Sequence, residues 1–286
     1  RFENDHGGDL IDKNDQKDVL VEKIIKLTKS LKNSYLCIQG PPGSGKTFTA
    51  KQVIGELLKD GKSVGISSNS HNAVFNLMEG VISFTNEINI TANIVKHGGD
   101  QEHSIFDNPN VNFTKRNEDI DEYLGLPSLC IGGTAWLFCN DKFNPDTGAQ
   151  LDYLFIDEAG QVSLANLVGM SQCCKNIILM GDQMQLSQPV QGSHPGDTGL
   201  SILDYILNGQ ATIPSSKGVF LPKLNEDDIT LSITNCNLSL TSAVSLFGTP
   251  FGLGIISYFS YYENFKVLHF YFCSCFLGIV LSIFSL

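Results

Sequence analysis

The chain has 286 residues, a formal net charge of -11 and a hydrophobic content of 42%. This composition excludes a disordered chain, and the length allows one large α/β domain, alone or with part of another. The negative charge excludes a general polyanion-binding protein, so any contact with nucleic acid has to come from a local polar or basic groove. The eight cysteines include no CxxC pair. Their spacing favours neither a zinc site nor a disulfide framework, and we expect a cytoplasmic location.

Helical and strand-like segments alternate along most of the chain. Apolar residues at helical spacing predict an amphipathic helix over residues 16–31. Continuous apolar runs bounded by turn residues predict strands at 35–40, 63–68, 92–98, 128–134, 151–159 and 176–182, with helices at 46–58 and 72–82. Residues 99–126 are polar, and we interpret them as an irregular insertion. The alternation predicts an α/β fold with a parallel sheet covered by helices on both faces.

The stretch GPPGSGKT, residues 40–47, fits the pattern G-x-x-x-x-G-K-[ST] between a predicted strand and a predicted helix. Its glycines let backbone N–H groups turn towards phosphate oxygens, and the N-terminus of a helix favours negative charge. We expect Lys46 to reach the β- and γ-phosphates of a nucleotide and the Thr47 hydroxyl to bind Mg²⁺. The alternative is a Gly/Pro-rich turn without a ligand, which the flanking elements disfavour. The predicted phosphate-binding residues are Gly40, Pro41, Pro42, Gly43, Ser44, Gly45, Lys46 and Thr47.

A pair of carboxylates follows another apolar run. YLFIDEA, residues 153–159, places Asp157 and Glu158 at the carboxyl end of a predicted strand, where open α/β sheets bind their ligands. Asp157 suits a role in fixing Mg²⁺, and Glu158 suits polarisation of an attacking water. Alone, such a pair is more often a solvated strand end. Together with the upstream phosphate-binding loop, the pair predicts an enzyme that hydrolyses a nucleoside triphosphate.

Two polar segments follow other predicted strands. GISSNSHNAV, residues 65–74, offers small hydroxyl and amide groups suited to a sugar-phosphate backbone. Its alternative is a helix N-cap built from Ser68, Asn69 or Ser70. MGDQMQLSQP, residues 180–189, places amides within reach of a γ-phosphate, although by itself it is a polar loop. Those amides belong to Gln183, Gln185 and Gln188.

Five motifs in this order resemble those of superfamily 1 helicases, in the branch of the RNA-surveillance helicases and the Dna2-type replication helicases. The similar stretches are IQGPPGSGKT (38–47, motif I), SSNSHNAV (67–74, motif Ia), IGGTAWLF (131–138, motif Ic), FIDEAGQ (155–161, motif II) and LMGDQMQL (179–186, motif III). Residues 188–207 resemble bacterial proteins that join a RecB-like nuclease domain to such a helicase. The resemblance covers about residues 16–223.

The resemblance implies a RecA-like P-loop NTPase that uses ATP and Mg²⁺. It places Gln39 beside the nucleotide base, makes Asp157 a Mg²⁺ ligand and Glu158 the general base, and lets Gln185 sense the γ-phosphate. Along single-stranded nucleic acid it places Ser68, Asn69, His71, Gly133 and Thr134. His71 by itself is more often a capping or packing residue. Trp136 and Phe138 are candidates for base stacking, but core packing is the interpretation we favour for both.

The resemblance also predicts how the chain is divided. We expect a lead-in over residues 1–15, a RecA-like ATPase domain over 16–224 and an atypical apolar tail over 225–286. Helicases of this type need a second RecA-like domain that supplies arginine fingers, and no arginine occurs in residues 217–286. We therefore interpret the chain as a fragment that binds ATP but turns it over poorly, whose intact form adds the second RecA-like domain and a nuclease domain. Residues 267–286 are about long enough to span a membrane, but we favour a frameshifted or misassembled tail because charge and motifs are lost together.

Three functions remain open from the sequence. The first is an ATP-dependent helicase or translocase on single-stranded nucleic acid, with DNA favoured over RNA by the nuclease-fusion resemblance. The second is a nucleotide-dependent module that binds nucleic acid or a partner without productive turnover. The third is an unrelated P-loop ATPase such as an AAA+ protein, which the ordered motifs Ia and III disfavour.

Overall fold

The computed structural model describes residues 17–147, 150–182 and 196–222. Within these residues the chain forms six α-helices and eight β-strands. The helices are α1 (Lys17–Lys29), α2 (Lys46–Lys59), α3 (His71–Glu87), α4 (Ala135–Phe138), α5 (Leu164–Met170) and α6 (Ile202–Leu207). The strands are β1 (Tyr35–Gln39), β2 (Val64–Ser67), β3 (Asn93–His97), β4 (Val111–Thr114), β5 (Leu129–Gly133), β6 (Leu151–Ile156), β7 (Cys174–Gly181) and β8 (Gly218–Phe220).

The described strands form one sheet in the order β4-β3-β5-β2-β6-β7-β1-β8, and every pairing in it is parallel. β1 lies between β7 and β8, and β2 lies between β5 and β6. The connection from β1 through α2 to β2 therefore passes over β7 and β6. Because all strands run in one direction, their carboxyl ends meet at one edge, which is where such sheets bind ligands.

Alternate residues of the strands are buried in two separate cores, one on each face of the sheet. On β1, Leu36 and Ile38 pack with residues of α1, α2 and α3, whereas Cys37 belongs to the opposite core. On β6, Phe155 lies in the first core and Leu154 in the second, where it packs with residues of α4 and α6. A strand that is buried on both faces has no polar side, which explains the continuous apolar runs in the sequence.

The predicted fold class, a parallel α/β sheet with helices on both faces, is confirmed. The interpretation of residues 99–126 as wholly irregular is wrong, because β4 lies within this segment and pairs with β3 in the register Ile94↔Val111. β4 escaped detection because only Val111 and Thr114 of its four residues are buried. β8, which pairs with β1, was not predicted either; it has only three residues.

None of the described helices has the length and apolar character that crossing a bilayer requires. Residues 1–15 and 225–286, including the apolar stretch 267–286, lie outside the described residues. The predicted domain boundaries therefore stay predictions.

Candidate nucleotide-binding site

The loop between β1 and α2 has the backbone geometry that phosphate binding requires. Gly43 and Gly45 have φ values of 80° and 84°, in the left-handed region that glycine adopts at little cost. Gly45 is the N-cap of α2, and no side chain caps this helix end. The first turn of α2 also contains no acidic residue. The N-terminus of α2 therefore presents its partial positive charge and its backbone N–H groups to a ligand.

The Ser44 hydroxyl is buried and has no hydrogen-bond partner among the described residues. An unpaired buried hydroxyl costs free energy unless a ligand or water satisfies it. Its position inside the phosphate-binding loop fits a phosphate oxygen as that partner. This orphaned donor and the uncapped end of α2 together fit the triphosphate of a nucleotide.

Lys46 folds back over the loop from the first position of α2. Its Nζ donates to Gly40 O at 2.6 Å and to Pro41 O at 3.0 Å. Burial lowers the pKa of Lys46, while the charges of Asp182 and Asp157 act in the opposite direction. The ammonium is thus held on the loop and faces two carboxylates. Phosphate oxygens would provide better acceptors than two neutral carbonyls, because hydrogen bonds to a charged acceptor are stronger.

Asp157 and Glu158 follow directly after β6. Asp157 N donates to Ser67 O at 2.8 Å, and Glu158 N donates to Asp157 Oδ1 at 2.9 Å. Burial raises the pKa of Asp157, and the charge of Glu158 raises it further, while the Glu158 N–H and the Lys46 ammonium lower it. A partly buried carboxylate with a raised pKa is suited to a cation that would restore its charge.

Glu158 has a φ of 54°, in the left-handed region that a residue with a Cβ rarely adopts. Such a conformation costs about 1 kcal/mol or more, and it occurs often at functional sites. The turn is fixed by Ala159 N, which donates to Met180 O at 2.8 Å, and by Gln161 N, which donates to Glu158 O at 2.7 Å. The strained backbone directs the Glu158 carboxylate out of the regular strand.

Sequence reasoning missed Asp182, which is buried beside the phosphate-binding loop and acts electrostatically on Lys46. The available signal was an aspartate directly after the apolar run 176–181. Gln183, Gln185 and Gln188 lie outside the described residues, so the γ-phosphate role of Gln185 stays a prediction.

Gln39 is 2% exposed, and both ends of its side-chain amide bind backbone groups. Its Nε2 donates to Ala211 O at 3.1 Å, and its Oε1 accepts from Ile213 N at 2.5 Å. Gln39 O accepts from Leu221 N at 2.7 Å. The residue therefore ties β1 to the segment that leads into and out of β8. Its predicted place beside the nucleotide base stays a prediction; one amide N–H and one Oε1 lone pair are used by these backbone bonds.

The segment that follows β2 contacts the turn that follows β6. Ser68 is 2% exposed, and its Oγ donates to Glu158 Oε2 at 3.4 Å. Asn69 Nδ2 donates to Gln161 O at 2.6 Å. The N-cap of α3 is Ser70, whose Oγ accepts from Ala73 N at 3.1 Å. The capping alternative therefore applies to Ser70, while Ser68 and Asn69 join this segment to the turn after β6. Because Ser68 is buried, its hydroxyl is not available for direct contact with a nucleic-acid strand.

The segment that follows β5 lies beside this contact, because Ser67 and Gly133 are paired in neighbouring strands. Gly133 is buried, and a Cβ there would lie 2.5 Å from Leu137 Cδ2, so this position needs glycine for packing. Thr134 is the N-cap of α4 but makes no side-chain capping bond. Phe138 is 1% exposed, as core packing requires, whereas the core assignment of Trp136 is wrong: it is 87% exposed.

The site has the features that define a P-loop nucleotide-binding domain: a phosphate-binding loop between β1 and α2, and an acidic pair after β6, which is separated from β1 in the sheet by β7. A family model described as AAA domain matches residues 22–197. The chain therefore belongs to this AAA domain family.

Several curated relatives match part of the chain. It is 29% identical over 191 residues to the Arabidopsis thaliana protein "DNA replication ATP-dependent helicase/nuclease JHS1", covering 66% of this chain and 13% of that protein. It is 31% identical over 154 residues to "DNA replication ATP-dependent helicase/nuclease DNA2" of Saccharomyces cerevisiae, covering 53% and 10%. The chain thus spans less than a fifth of the length of either relative.

Solved structures with a similar chain path include a helicase and an ATPase core. The Pif1 helicase from Candida albicans has a TM-score of 0.38 and 14% identity, over 84% of this chain and 48% of that one. The Sulfolobus solfataricus SWI2/SNF2 ATPase core in complex with dsDNA has a TM-score of 0.42 and 13% identity, over 73% and 44%. At these scores, the fold assignment depends on the sheet topology and the family match.

Proposed function

We propose that this chain is the ATP-binding domain of an ATP-dependent helicase or translocase that acts on single-stranded nucleic acid. The observation that carries the proposal is the contact between the two predicted motifs Ia and II. Ser68 donates a hydrogen bond to Glu158, and Asn69 donates one to Gln161. The segment predicted to contact the nucleic-acid strand is therefore joined to the predicted catalytic turn. A translocase needs such a connection because ATP hydrolysis and strand movement must be coupled.

ATP is the nucleotide we assign to the site, because the names of the curated relatives include the term ATP-dependent. ATP would supply the phosphoryl group that is transferred to water. The N-terminus of α2, the Ser44 hydroxyl and the Lys46 ammonium would hold its phosphates. Thr47, which is exposed, and Asp157 would hold Mg²⁺ through oxygen atoms, the ligands that this ion prefers. Glu158 would accept a proton from the attacking water.

The proposed strand path, meaning the path of the bound nucleic-acid strand, follows the carboxyl ends of β2, β5 and β3, which are neighbours in the sheet. Thr134 and His71 lie at this edge with side chains only partly buried. Trp136 adds a large exposed ring beside Thr134. Stacking of a base on such a ring contributes about 1–3 kcal/mol per base and needs no positive charge. A neutral, aromatic contact of this kind suits a chain with a net charge of -11.

DNA is the strand we favour, because both reported relatives carry DNA replication in their names. By the same resemblance the intact protein would include a second RecA-like domain and a nuclease domain. The cysteine spacing supports a reducing, cytoplasmic location.

The alternative, a nucleotide-dependent binding module without productive turnover, is favoured by the arginine content. The two arginines of the chain are Arg1 and Arg116. Arg116 is paired with Asp119, with Nη2 2.7 Å from Oδ1. An arginine finger contributes a factor of about 10³–10⁵ in turnover where it has been dissected. A partner domain or a second chain would therefore have to supply it for rapid hydrolysis.

The experiment uses Trp136, the single tryptophan of the chain, as an intrinsic probe. Fluorescence is recorded while single-stranded DNA, single-stranded RNA or duplex DNA is added to the full chain. Stacking predicts quenching by the single strands and weaker binding by Trp136→Ala, measured by anisotropy of labelled DNA. Tyr205→Ala, a half-exposed aromatic residue on α6, is the control.

Binding of a fluorescent ATP analogue with Mg²⁺ is measured in parallel. It should be lost in Lys46→Ala but kept in Lys59→Ala, which changes a lysine at the other end of the same helix. Single-stranded DNA that neither binds nor quenches would refute the nucleic-acid assignment. Equal analogue binding by both lysine variants would refute the nucleotide site.

A further inference from the structure

Lys96 of β3 is a lysine at the centre of a core. It is 0% exposed, and its Nζ donates to His71 Nδ1 at 3.0 Å, to His97 O at 2.8 Å and to Gly98 O at 2.8 Å. An ammonium has three N–H groups, and these three acceptors account for all of them. Nζ also lies 4.7 Å from the centroid of the Phe75 ring. The group is therefore completely bonded and held in one position.

Core stability alone does not explain this lysine. In the part of the chain that the structure describes, the ion pairs involve other residues, and no carboxylate neutralises Lys96. Burial lowers the pKa of Lys96 to about 8. Burying a cation without an anionic partner costs more than burying an apolar side chain of the same size. The ammonium therefore has to be explained by what it contacts.

The contact with His71 determines which ring nitrogen carries the proton. An ammonium can only donate, so His71 Nδ1 must be the acceptor. Burial lowers the pKa of His71, and the charges of Lys96 and His97 lower it further, so the ring is neutral at pH 7. A neutral ring whose Nδ1 accepts must carry its proton on Nε2.

Two glycines fix the orientation of this ring. Gly98 and Gly99 have φ values of 65° and 88°, and they bring the backbone directly against His71. A Cβ on Gly99 would lie 3.1 Å from His71 Cγ, and one on Gly98 would lie 3.2 Å from Cε1. The ring is thus confined between this loop and Lys96. Among the described residues, His71 Nε2 has no hydrogen-bond partner.

We propose that Lys96 is a positioning residue that fixes the tautomer and orientation of His71, so that Nε2–H donates to a phosphate oxygen of the bound strand. The phosphate as ligand rests on the proposed function. His71 is the first residue of α3 and follows Asn69 and Ser70 at the proposed strand path. Its partly buried ring offers one N–H donor without a charge.

An uncharged donor predicts a particular dependence on salt. A lysine that contacts a phosphate releases counterions on binding, and its loss reduces the slope of log K against log salt. A neutral imidazole N–H adds a hydrogen bond without this release. Removal of His71 should therefore weaken binding about 2- to 10-fold and leave the slope unchanged.

The first test is NMR of the full chain with ¹⁵N-labelled histidine, without nucleic acid. The six histidines are distinguished by the loss of one signal in His71→Gln. We expect the His71 signals of a neutral ring with the proton on Nε2 at pH 7. In Lys96→Met the tautomers should mix, whereas Lys115→Met, which changes an exposed lysine after β4, should leave them unchanged. A proton on Nδ1, or a charged ring at pH 7, in the unchanged chain would overturn the proposal without any variant.

The second test is a double-mutant cycle on binding of a labelled single-stranded DNA at several salt concentrations. Lys96→Met and His71→Ala should each weaken binding to a similar extent, and the double variant should be no weaker than either. Additive losses, or a reduced salt slope in Lys96→Met, would show that Lys96 acts on the strand independently and would overturn the proposal. Failure of the unchanged chain to bind DNA would refute the proposed function and the phosphate ligand, while the NMR experiment separately decides the pairing of Lys96 with His71.

Discussion

Replacement of Gln39 by alanine should destabilise the domain before any nucleotide is added. The side chain is 2% exposed and bonds to Ala211 O and Ile213 N. Ala211 is exposed, so water can satisfy its carbonyl, but Ile213 is buried and its N–H would lose its partner. An unsatisfied buried group costs about 1–3 kcal/mol, and the lost second bond adds about 0.5–1.5 kcal/mol. We expect a loss of about 2–4 kcal/mol in the free energy of unfolding.

Thermal unfolding without nucleotide is the assay. For a domain of this size the loss corresponds to a fall in Tm of roughly 4–16 °C. Gln150→Ala is the matched control, because its amide donates to Gln172 O at 3.2 Å on the exposed surface. The control should change the free energy of unfolding by less than about 0.5 kcal/mol. If Gln39→Ala kept its Tm but bound ATP more weakly, Gln39 would contact the nucleotide base and our account of its bonds would be refuted.

Three further substitutions test other parts of the account. Gly40→Ala would place a Cβ 2.8 Å from Leu221 O, and the resulting shift of the loop should weaken ATP-analogue binding roughly 10-fold or more. Gly80→Ala is the control, because its Cβ would lie 3.5 Å from the nearest atom and binding should not change. Ser68→Ala frees the Glu158 carboxylate, so ATP turnover without DNA should rise about 2- to 10-fold and stimulation by DNA should fall; unchanged turnover would contradict the coupling. The pKa of Lys96 is about 8 in the folded chain and 10.5 in the unfolded chain, so between these pH values the unfolded chain binds more protons at Lys96 than the folded chain does. The free energy of unfolding of the unchanged chain should therefore rise by up to about 3 kcal/mol, relative to that of Lys96→Met, as pH increases through this window. Equal pH dependence of their unfolding midpoints would contradict the burial of a charged Lys96.

The central strands could be predicted from the sequence because burial on both faces leaves an unmistakable apolar run. β6 and β7 are examples, and Asp157 and Glu158 lie directly after β6 as the sequence predicts. β4 and β8 could not be found, because a strand of three or four residues at the edge of a sheet has too few buried positions to produce a pattern.

Side-chain roles were harder to predict than elements. The exposure of Trp136 depends on the register of α4, whose four residues bury Leu137 and Phe138 and leave the tryptophan outside. So short a helix shows no periodicity from which to infer a buried face. Lys96 did leave a signal, a lysine inside the apolar run of β3, but only the fold brings it to His71. Contacts between segments distant in sequence, such as Ser68 with Glu158, are set by strand order.

The central claim is that ATP hydrolysis at Lys46 and Glu158 is coupled to a nucleic-acid strand. The most direct measurement is ATP turnover by the full chain with Mg²⁺, with and without single-stranded DNA, using Lys46→Ala as the blank. Because an arginine finger has to come from elsewhere, we predict slow turnover that exceeds the blank and rises when the strand is added. Turnover equal to that of Lys46→Ala, both with and without DNA, in a chain that still binds the ATP analogue would contradict the claim and favour a binding module.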